Sequence, residues 1–374
     1  MPDEIGLKFN EAVALRLKNH LDDCQASVER LWQRGYQTPW LALLRGNLQL
    51  DLGNYIEADS WYSLAWSMTA PNNAVRPEAA RWFPEIALPF AYSRMRLGRW
   101  DAFTWSLWEI GRLTRSWRPA PNTVPWSGQP DKLLVLSEGG YGDAFLFTRF
   151  FQKLDPIQRA ASRFVMGPAF ARLKGFRENW DGMETIWPDQ IFEWGTFKYS
   201  TALMSLLSVT DIHSLADIPK AEPLLVDPLK SSVRFGIAWR AEELGVQKRI
   251  RSIDHEEELS ALADFEFVNL CPGRSFEQRV GMPHLVEADL DCWTKTARVI
   301  AGLDAVVTVA SAVAHVSGAL GVPTLLLLPR AVDWKYLTEG EDCFWWKSAR
   351  LIRNDSPYSW NTALTRVAEI LEDL

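Results

Sequence analysis

The sequence lacks most of the features that would classify it at once. It has no CxxC pair: its four cysteines, Cys24, Cys271, Cys292 and Cys343, are scattered through 374 residues. That distribution argues for reduced thiols and against a disulfide framework or a structural zinc site. Five histidines show no metal-ligand spacing, so no metal is expected. A basic excess is also missing. The formal charge of -7 works against a nucleic-acid binder, which needs a positive face to displace counterions from phosphates, and any anionic ligand must be met locally. The opening MPDEIGLKFN has neither the basic stretch nor the apolar core of a signal peptide, which sets a cytoplasmic location as the expectation. No long apolar run is uninterrupted. The best candidate for a membrane span, residues 301 to 328, is broken by Asp304, His315, Gly318, Gly321 and Pro323. It reads instead as strand, helix and strand of a buried parallel sheet.

What is present is an ordinary globular mixture, 47% apolar and 23% charged, in a chain long enough for more than one domain. Residues 1 to 118 read as a helical domain, with apolar residues at three-and-four spacing and no strand alternation. Two segments, LGNYIEADSWYSLA from Leu52 and LGRWDAFTWSLWEI from Leu97, share a Leu-Gly-x-aromatic turn between amphipathic helices. In the first, Gly46, Ala58 and Ala65 stand at the small positions of a tetratricopeptide repeat and Tyr62 at the large one. The second is degenerate, with Ala91, Phe103 and Ile110 in those places. Tryptophans crowd this region, among them Trp61, Trp66, Trp82, Trp100, Trp105 and Trp108. They could line a peptide or sugar groove, but at helical spacing they read better as core.

The proline- and glycine-rich segment 118 to 132 supports neither helix nor central strand and marks a boundary. Beyond it, short apolar runs alternate with helical stretches: KLLVLSE, a helix from about Asp143, RFVMG, a helix near Phe170, and ETIWP. A second set runs VRFGIAW, FEFVNL, LDAVVTV, PTLLLLP and a last helix after Tyr358. Alternation of this kind implies parallel sheets with crossover helices, one over 119 to 230 and another over 231 to 374, facing a cleft.

The stretch SEGGYGDAFLFTRF, 137 to 150, is the first chemical landmark. A dinucleotide fingerprint would need glycine where Phe145 stands, and a P-loop would need lysine where Asp143 stands. A carboxylate in a first helical turn is stabilised there and repels phosphate. Two readings of Asp143 stand: a helix cap, or an ionised base held beside the permissive glycines Gly139, Gly140 and Gly142 at a strand's carboxyl edge. A second helix start complements it. In TVASAVAHVSGALG, Ser311 can cap a helix whose first turn carries Ala312, Val313 and Ala314 and no acid, leaving amides for a diphosphate. His315 could donate to the same anion or be a satisfied core residue. A third feature is the loop from Trp239, with Arg240, Lys248, Arg249 and Arg251, able to clamp phosphates or to lie solvated beside Glu242 and Glu243. The DLD at 289 to 291 looks like a metal-binding Asp-x-Asp, but Asp291 reads more simply as the N-cap of the helix that follows.

Taken in order, PWSG (125 to 128), EGGYGDAFLFTRF (138 to 150), LMSLLSV, DIPKAEPLL, FGIAWR, RSI, SAVAHVSGALGVPTLLLLP (311 to 329) and DW (333 to 334) resemble bacterial tetratricopeptide-repeat proteins whose remainder is similar to glycosyltransferase family nine, the heptosyltransferases. The resemblance covers nearly the whole chain. It implies an α/β GT-B fold, two Rossmann-like domains facing a cleft behind an all-α tetratricopeptide-like domain, and a metal-independent, inverting transfer from a nucleotide-diphosphate sugar to a glycan or protein acceptor, with no other cofactor. On this resemblance Asp143 is the base, and Gly139, Gly140 and Gly142 form the acceptor-side loop. Ser311, Ala312, Val313 and His315 with Trp239, Arg240, Lys248 and Arg251 bind the donor. The helical repeats would hold a protein partner or self-associate. Three departures stand out: Ala310 replaces the family's usual aspartate before the AVAH stretch, GGYGD replaces GLGD, and the first Rossmann-like unit, about 131 to 228, is short, which would trim its acceptor surface. They set up the alternative of an inactive GT-B relative that acts as a binding or scaffold protein.

Overall fold

The structure is a computed structural model that describes residues 2–69, 83–113, 118–176, 179–210, 212–241, 251–253, 256–271, 282 and 284–374. The chain forms two compact units. One comprises residues 1–116 with 329–339 and 356–358; the other holds 117–328, 340–355 and 359–374.

Among the described residues the first unit contains α1 (Pro2–Leu17), α2 (Leu21–Gln33), α3 (Pro39–Asp51), α4 (Tyr55–Thr69), α5 (Phe83–Arg96) and α6 (Ala102–Leu113). The Leu-Gly turns have one cause. Gly53 and Gly98 adopt left-handed φ of 77° and 73°. After α3, Asn54 N bonds to Gln49 O and Gly53 N to Leu50 O; after α5, Arg99 N bonds to Arg94 O and Gly98 N to Met95 O. Each is the double bond pattern that satisfies a helix's last carbonyls and favours glycine. A third copy of this turn lacks the Leu-Gly-x-aromatic pattern: Gly35, φ 87°, ends α2 with Tyr36 N on Leu31 O.

The small-residue positions also have a packing reason. A β-carbon on Gly46 would lie 2.7 Å from two ring carbons of Tyr62. Tyr62 is buried, and its hydroxyl donates to Asn47 Oδ1 at 2.9 Å. Gly111 meets Leu88 in the same way, its β-carbon falling 2.6 Å from that of Leu88. Trp66, Trp100, Trp105 and Trp108 are core residues, whereas Trp61 is half-buried beneath the Arg45 guanidinium, 3.8 Å from its ring centre. Trp82 lies outside the described residues. The segment 329–339 belongs to this unit because Trp334 sits 5.4 Å from Trp108 and stacks on Tyr92 at 6.3 Å.

The second unit is built on two six-stranded sheets. The first contains β1 (Val124–Pro125), β2 (Leu133–Leu136), β3 (Arg163–Val165), β4 (Asn179–Trp180), β5 (Met183–Ile186) and β6 (Tyr199–Ala202), in the order β1-β6-β2-β3-β5-β4. All its pairings are parallel except β4 with β5. The second contains β7 (Phe235–Ala238), β8 (Phe267–Asn269), β9 (Leu285–Val286), β10 (Ala305–Val309), β11 (Thr324–Leu328) and β12 (Ala349–Arg353), all parallel, in the order β12-β11-β10-β7-β8-β9. That order is the doubly wound one, reversing between β7 and β10; the first sheet reverses between β2 and β6. β7, β10 and β11 are buried at every position, as strands covered on both faces must be. The fold class is thus the expected one, helices followed by two parallel α/β sheets. The interrupted apolar stretch 301–328 resolves into β10, a helix over Ala312–Leu320 and β11, and among the described residues no helix is long and apolar enough to cross a membrane.

Gly46→Ala and Gly6→Ala test the packing reading. Overpacking costs about 1–3 kcal/mol, against a helical gain of roughly 0.5–1 kcal/mol over glycine. Gly46→Ala is therefore expected to lower stability in chemical denaturation, whereas Gly6→Ala, with nothing within 4 Å, is expected to raise it.

Candidate functional site

The first landmark sits where the first sheet reverses. β2 ends at Leu136, and the chain turns through Gly139, φ 69°, into the short helix α7 (Tyr141–Phe147). Asp143 Oδ2 accepts the Gly140 amide at 2.8 Å, so the carboxylate caps its own helix while remaining half-buried. A β-carbon on Gly139 would lie 2.3 Å from that oxygen, so the glycine is required by both conformation and space. Glu138, just before it, is buried and accepts the Met204 amide at 2.7 Å, tying the end of β2 to the chain leaving β6.

The second landmark sits where the second sheet reverses. After β10, Ser311 Oγ accepts the Val313 amide at 3.3 Å and caps a helix over Ala312–Leu320. Short helices Pro156–Ala161 (α8) and Leu206–Val209 (α9) and the helix Trp293–Ala301 (α10) precede it, so it is α11; Asn361–Glu372 is α12. Ser311 and Ala312 are half-buried and Val313 is buried. The first turn of α11 carries no acidic residue, and its amino end therefore keeps its positive character. His315 is buried, and its Nδ1 accepts the indole proton of Trp346 at 3.0 Å. A neutral imidazole whose Nδ1 accepts carries its proton on Nε2.

The third feature lies beside the second. Trp239, Arg240 and Ala241 follow β7, and Ser252 Oγ accepts the Ala241 amide at 3.1 Å, bringing Arg251 to the same sheet edge. Arg251 Nη1 donates to Ala310 O at 3.5 Å. Trp239 is 2% exposed and forms part of the core at the strand end, while Arg240 is half-buried. Lys248 and Arg249 lie outside the described residues, as do Glu242 and Glu243.

The two landmarks meet. A β-carbon on Gly142 would lie 2.9 Å from His315 Cδ2, 3.5 Å from its Nε2 and 3.4 Å from Ala312 Cα. The glycine before Asp143 is thus the point where the turn of the first sheet reaches the helix start of the second. Contacts that sequence reading missed flank this approach. Trp293, at the start of α10, lies 5.3 Å from Tyr141 and 5.2 Å from Phe145, and Arg172 donates to Leu290 O and Asp291 O at 2.6 and 3.2 Å. A cavity further along α7 is lined by Phe145, Arg149, Trp180, Asp181, Glu222 and Trp346, among others.

One expectation needs correction. Asp291 does not cap the helix that follows; Cys292 occupies the extended cap position one residue later, without a side-chain bond. The Asp291 carboxylate instead reaches forward one turn to Lys295 at 3.1 Å, as Asp289 does at 2.5 Å. The lysine amine holds both carboxylates.

No model of a known family matches the sequence, and no curated protein matches it. Solved structures do show similarity. The chain is 14% identical to ADP-heptose lipopolysaccharide heptosyltransferase II of E. coli, covering 65% of this chain and 100% of that one, with a TM-score of 0.41. It is 12% identical to a glycosyl transferase family 9 protein of Veillonella parvula over 66% of this chain and 93% of that one, TM-score 0.36. Against O-GlcNAc transferase of Thermobaculum terrenum, crystallised as a mutant, it is 11% identical over 99% of this chain and 90% of that one, TM-score 0.34. At these scores and identities the likenesses assign neither a residue nor an activity.

Substitution at the turn provides a test. Gly139→Ala is expected to cost about 1–2 kcal/mol for the left-handed backbone alone, with a further loss from collision with the Asp143 carboxylate. Gly140→Ala should be tolerated, because its φ is -111° and its β-carbon would lie 4.0 Å from the same oxygen. Equal losses in urea denaturation would contradict this account of the turn.

Proposed function

We propose that the chain is a glycosyltransferase that moves a sugar from a nucleotide-diphosphate donor to a glycan or protein acceptor, with inversion and without a metal. The observation that carries the reading is the approach of Gly142 to His315 and Ala312, which sets the turn bearing a half-buried carboxylate against an acid-free helix start. Both groups lie at the carboxyl edges of their sheets, where each strand order reverses and open α/β sheets take ligands. The acceptor hydroxyl attacks the anomeric carbon from the face opposite the diphosphate. Its proton passes to Asp143, and the carbon–oxygen bond to the diphosphate breaks. The leaving group carries its charge to the amide of Ala312 at the helix start capped by Ser311, the Nε2–H of His315 and the guanidinium of Arg251, with Arg240 as a further cation. Such fixed donors stabilise developing charge without reorganising. In this reading the cap held by Asp143, through Oδ2 on the Gly140 amide, serves to orient the carboxylate. The helical unit would present the acceptor or hold a partner, and a cytoplasmic location belongs to the same reading.

A second reading has its own observation. Ala310, where a carboxylate is usual in the family that the sequence resembles, is buried at 5% exposure. A vestigial transferase unit joined to a helical scaffold would explain its loss. Calorimetry with a panel of nucleoside diphosphates and nucleotide sugars separates the two, because a vestigial crevice gives no saturable heat with any of them.

On the transferase reading, Asp143→Asn keeps the cap through its amide oxygen and is expected to bind the donor as the native protein does. Turnover should fall roughly 10²–10⁴-fold, the usual worth of a positioned base. Undiminished turnover would remove Asp143 from the chemistry.

A further inference from the structure

Trp346 is gripped on three sides. Its indole N–H donates to His315 Nδ1 at 3.0 Å. Its ring lies against α11 where Gly318 leaves room, since a β-carbon there would fall 2.3 Å from Trp346 Cγ. The guanidinium of Arg149 covers the ring at 4.3 Å from its centre. Arg149 follows α7, in the part of the unit that carries the Asp143 turn, and is 2% exposed. Its Nε and Nη1 donate to Leu146 O at 2.8 Å and Trp345 O at 3.1 Å. A buried guanidinium held by carbonyls and an aromatic face is costly to desolvate, so its place must be kept by fit. His315 is therefore fixed at one nitrogen by the indole, and its other edge meets Gly142.

We infer that Trp346 is a positioning residue: its indole N–H locks His315 as the Nε2–H tautomer facing the Asp143 turn, and Arg149 clamps that indole from the first-sheet side. The orientation of the histidine is thus set jointly by elements that follow both sheets. The kinetic consequence rests on the transferase reading, but the tautomer does not.

The resting protein provides the decisive measurement. Long-range proton–nitrogen NMR correlation of the imidazoles, with His315 assigned by comparison with His315→Gln, should show protonated Nε2 and unprotonated, hydrogen-bonded Nδ1 near neutral pH. Trp346→Phe keeps the ring for Gly318 and Arg149 and removes only the N–H. It should give mixed tautomers or a ring that titrates. A native ring protonated on Nδ1, or an unchanged Nε2–H signature in Trp346→Phe, overturns the inference. Should Trp346→Phe not fold, the native spectrum still decides, joined by Arg149→Gln, which should loosen the same signature. If donor turnover is found, Trp346→Phe should lower kcat, by about ten- to a hundredfold if the indole is worth what partners that orient metal-bound histidines are worth. A protein without turnover but with the expected tautomer change would retain this inference and lose the transferase reading.

Discussion

The missing side chain at Gly142 is the constraint on which the second unit's arrangement depends. Any β-carbon there would lie within 3 Å of the His315 ring, so the turn after β2 could not rest against α11. Two helix amino ends converge at that point. The first is neutralised from within by Asp143, whose carboxylate accepts the Gly140 amide. The second has only the uncharged Ser311 cap. One helix start thus carries a carboxylate and the other a positive dipole end, and the division follows from which first turn contains an acid. On the proposed transferase reading, an acceptor hydroxyl and a diphosphate would meet these opposite environments.

The second unit's sheets were legible to different depths. β10, α11 and β11 could be read because continuous apolar runs ended by Gly321 and Pro323 admit few other structures. β6 could not, because Tyr199–Ala202 is short and carries Ser200 and Thr201, both buried; Ser200 Oγ is satisfied by the Ala120 amide at 3.0 Å. β12 is not legible in the sequence because arginines punctuate Ala349–Arg353. The segment read as a boundary contains β1, and Pro125 is admissible there because, among the described residues, β1 pairs on one side only, with β6. The site divides likewise. Asp143 and Ser311 announce themselves by position at helix starts, whereas Trp346 lies 31 residues from His315 and Trp345 lies 196 from Arg149, separations that leave no local periodicity.

Glycine placement explains the helical unit as well as the crevice. Gly35, Gly53 and Gly98 end helices in the left-handed conformation, while Gly46 and Gly111 lie inside helices and admit Tyr62 and Leu88. The first kind fixes where each helix stops, and the second fixes how closely its neighbour comes. Together they produce helical hairpins whose shared core takes the large aromatics. Trp334 extends that core with a residue from between β11 and β12, so the crossover between those strands is an excursion into the helical unit rather than a covering helix.

The exchange at Ala310 can be weighed by sign. Two like charges about 4 Å apart repel by roughly 4 kcal/mol at the effective dielectric of a protein surface, so a carboxylate at position 310 would oppose a diphosphate at the adjoining amides unless a cation stood between them. Arg251 approaches the carbonyl of Ala310 at 3.5 Å, the side from which such a cation would act. With alanine there, the guanidinium has a neutral carbonyl where it would otherwise face an acid. Relative to an acid at position 310, the alanine leaves the helix start less negative. It thus lacks a carboxylate that could orient Arg251, yet gives a field more favourable to an anion. On the proposed transferase reading, alanine at position 310 is therefore compatible with a diphosphate at the adjoining helix start.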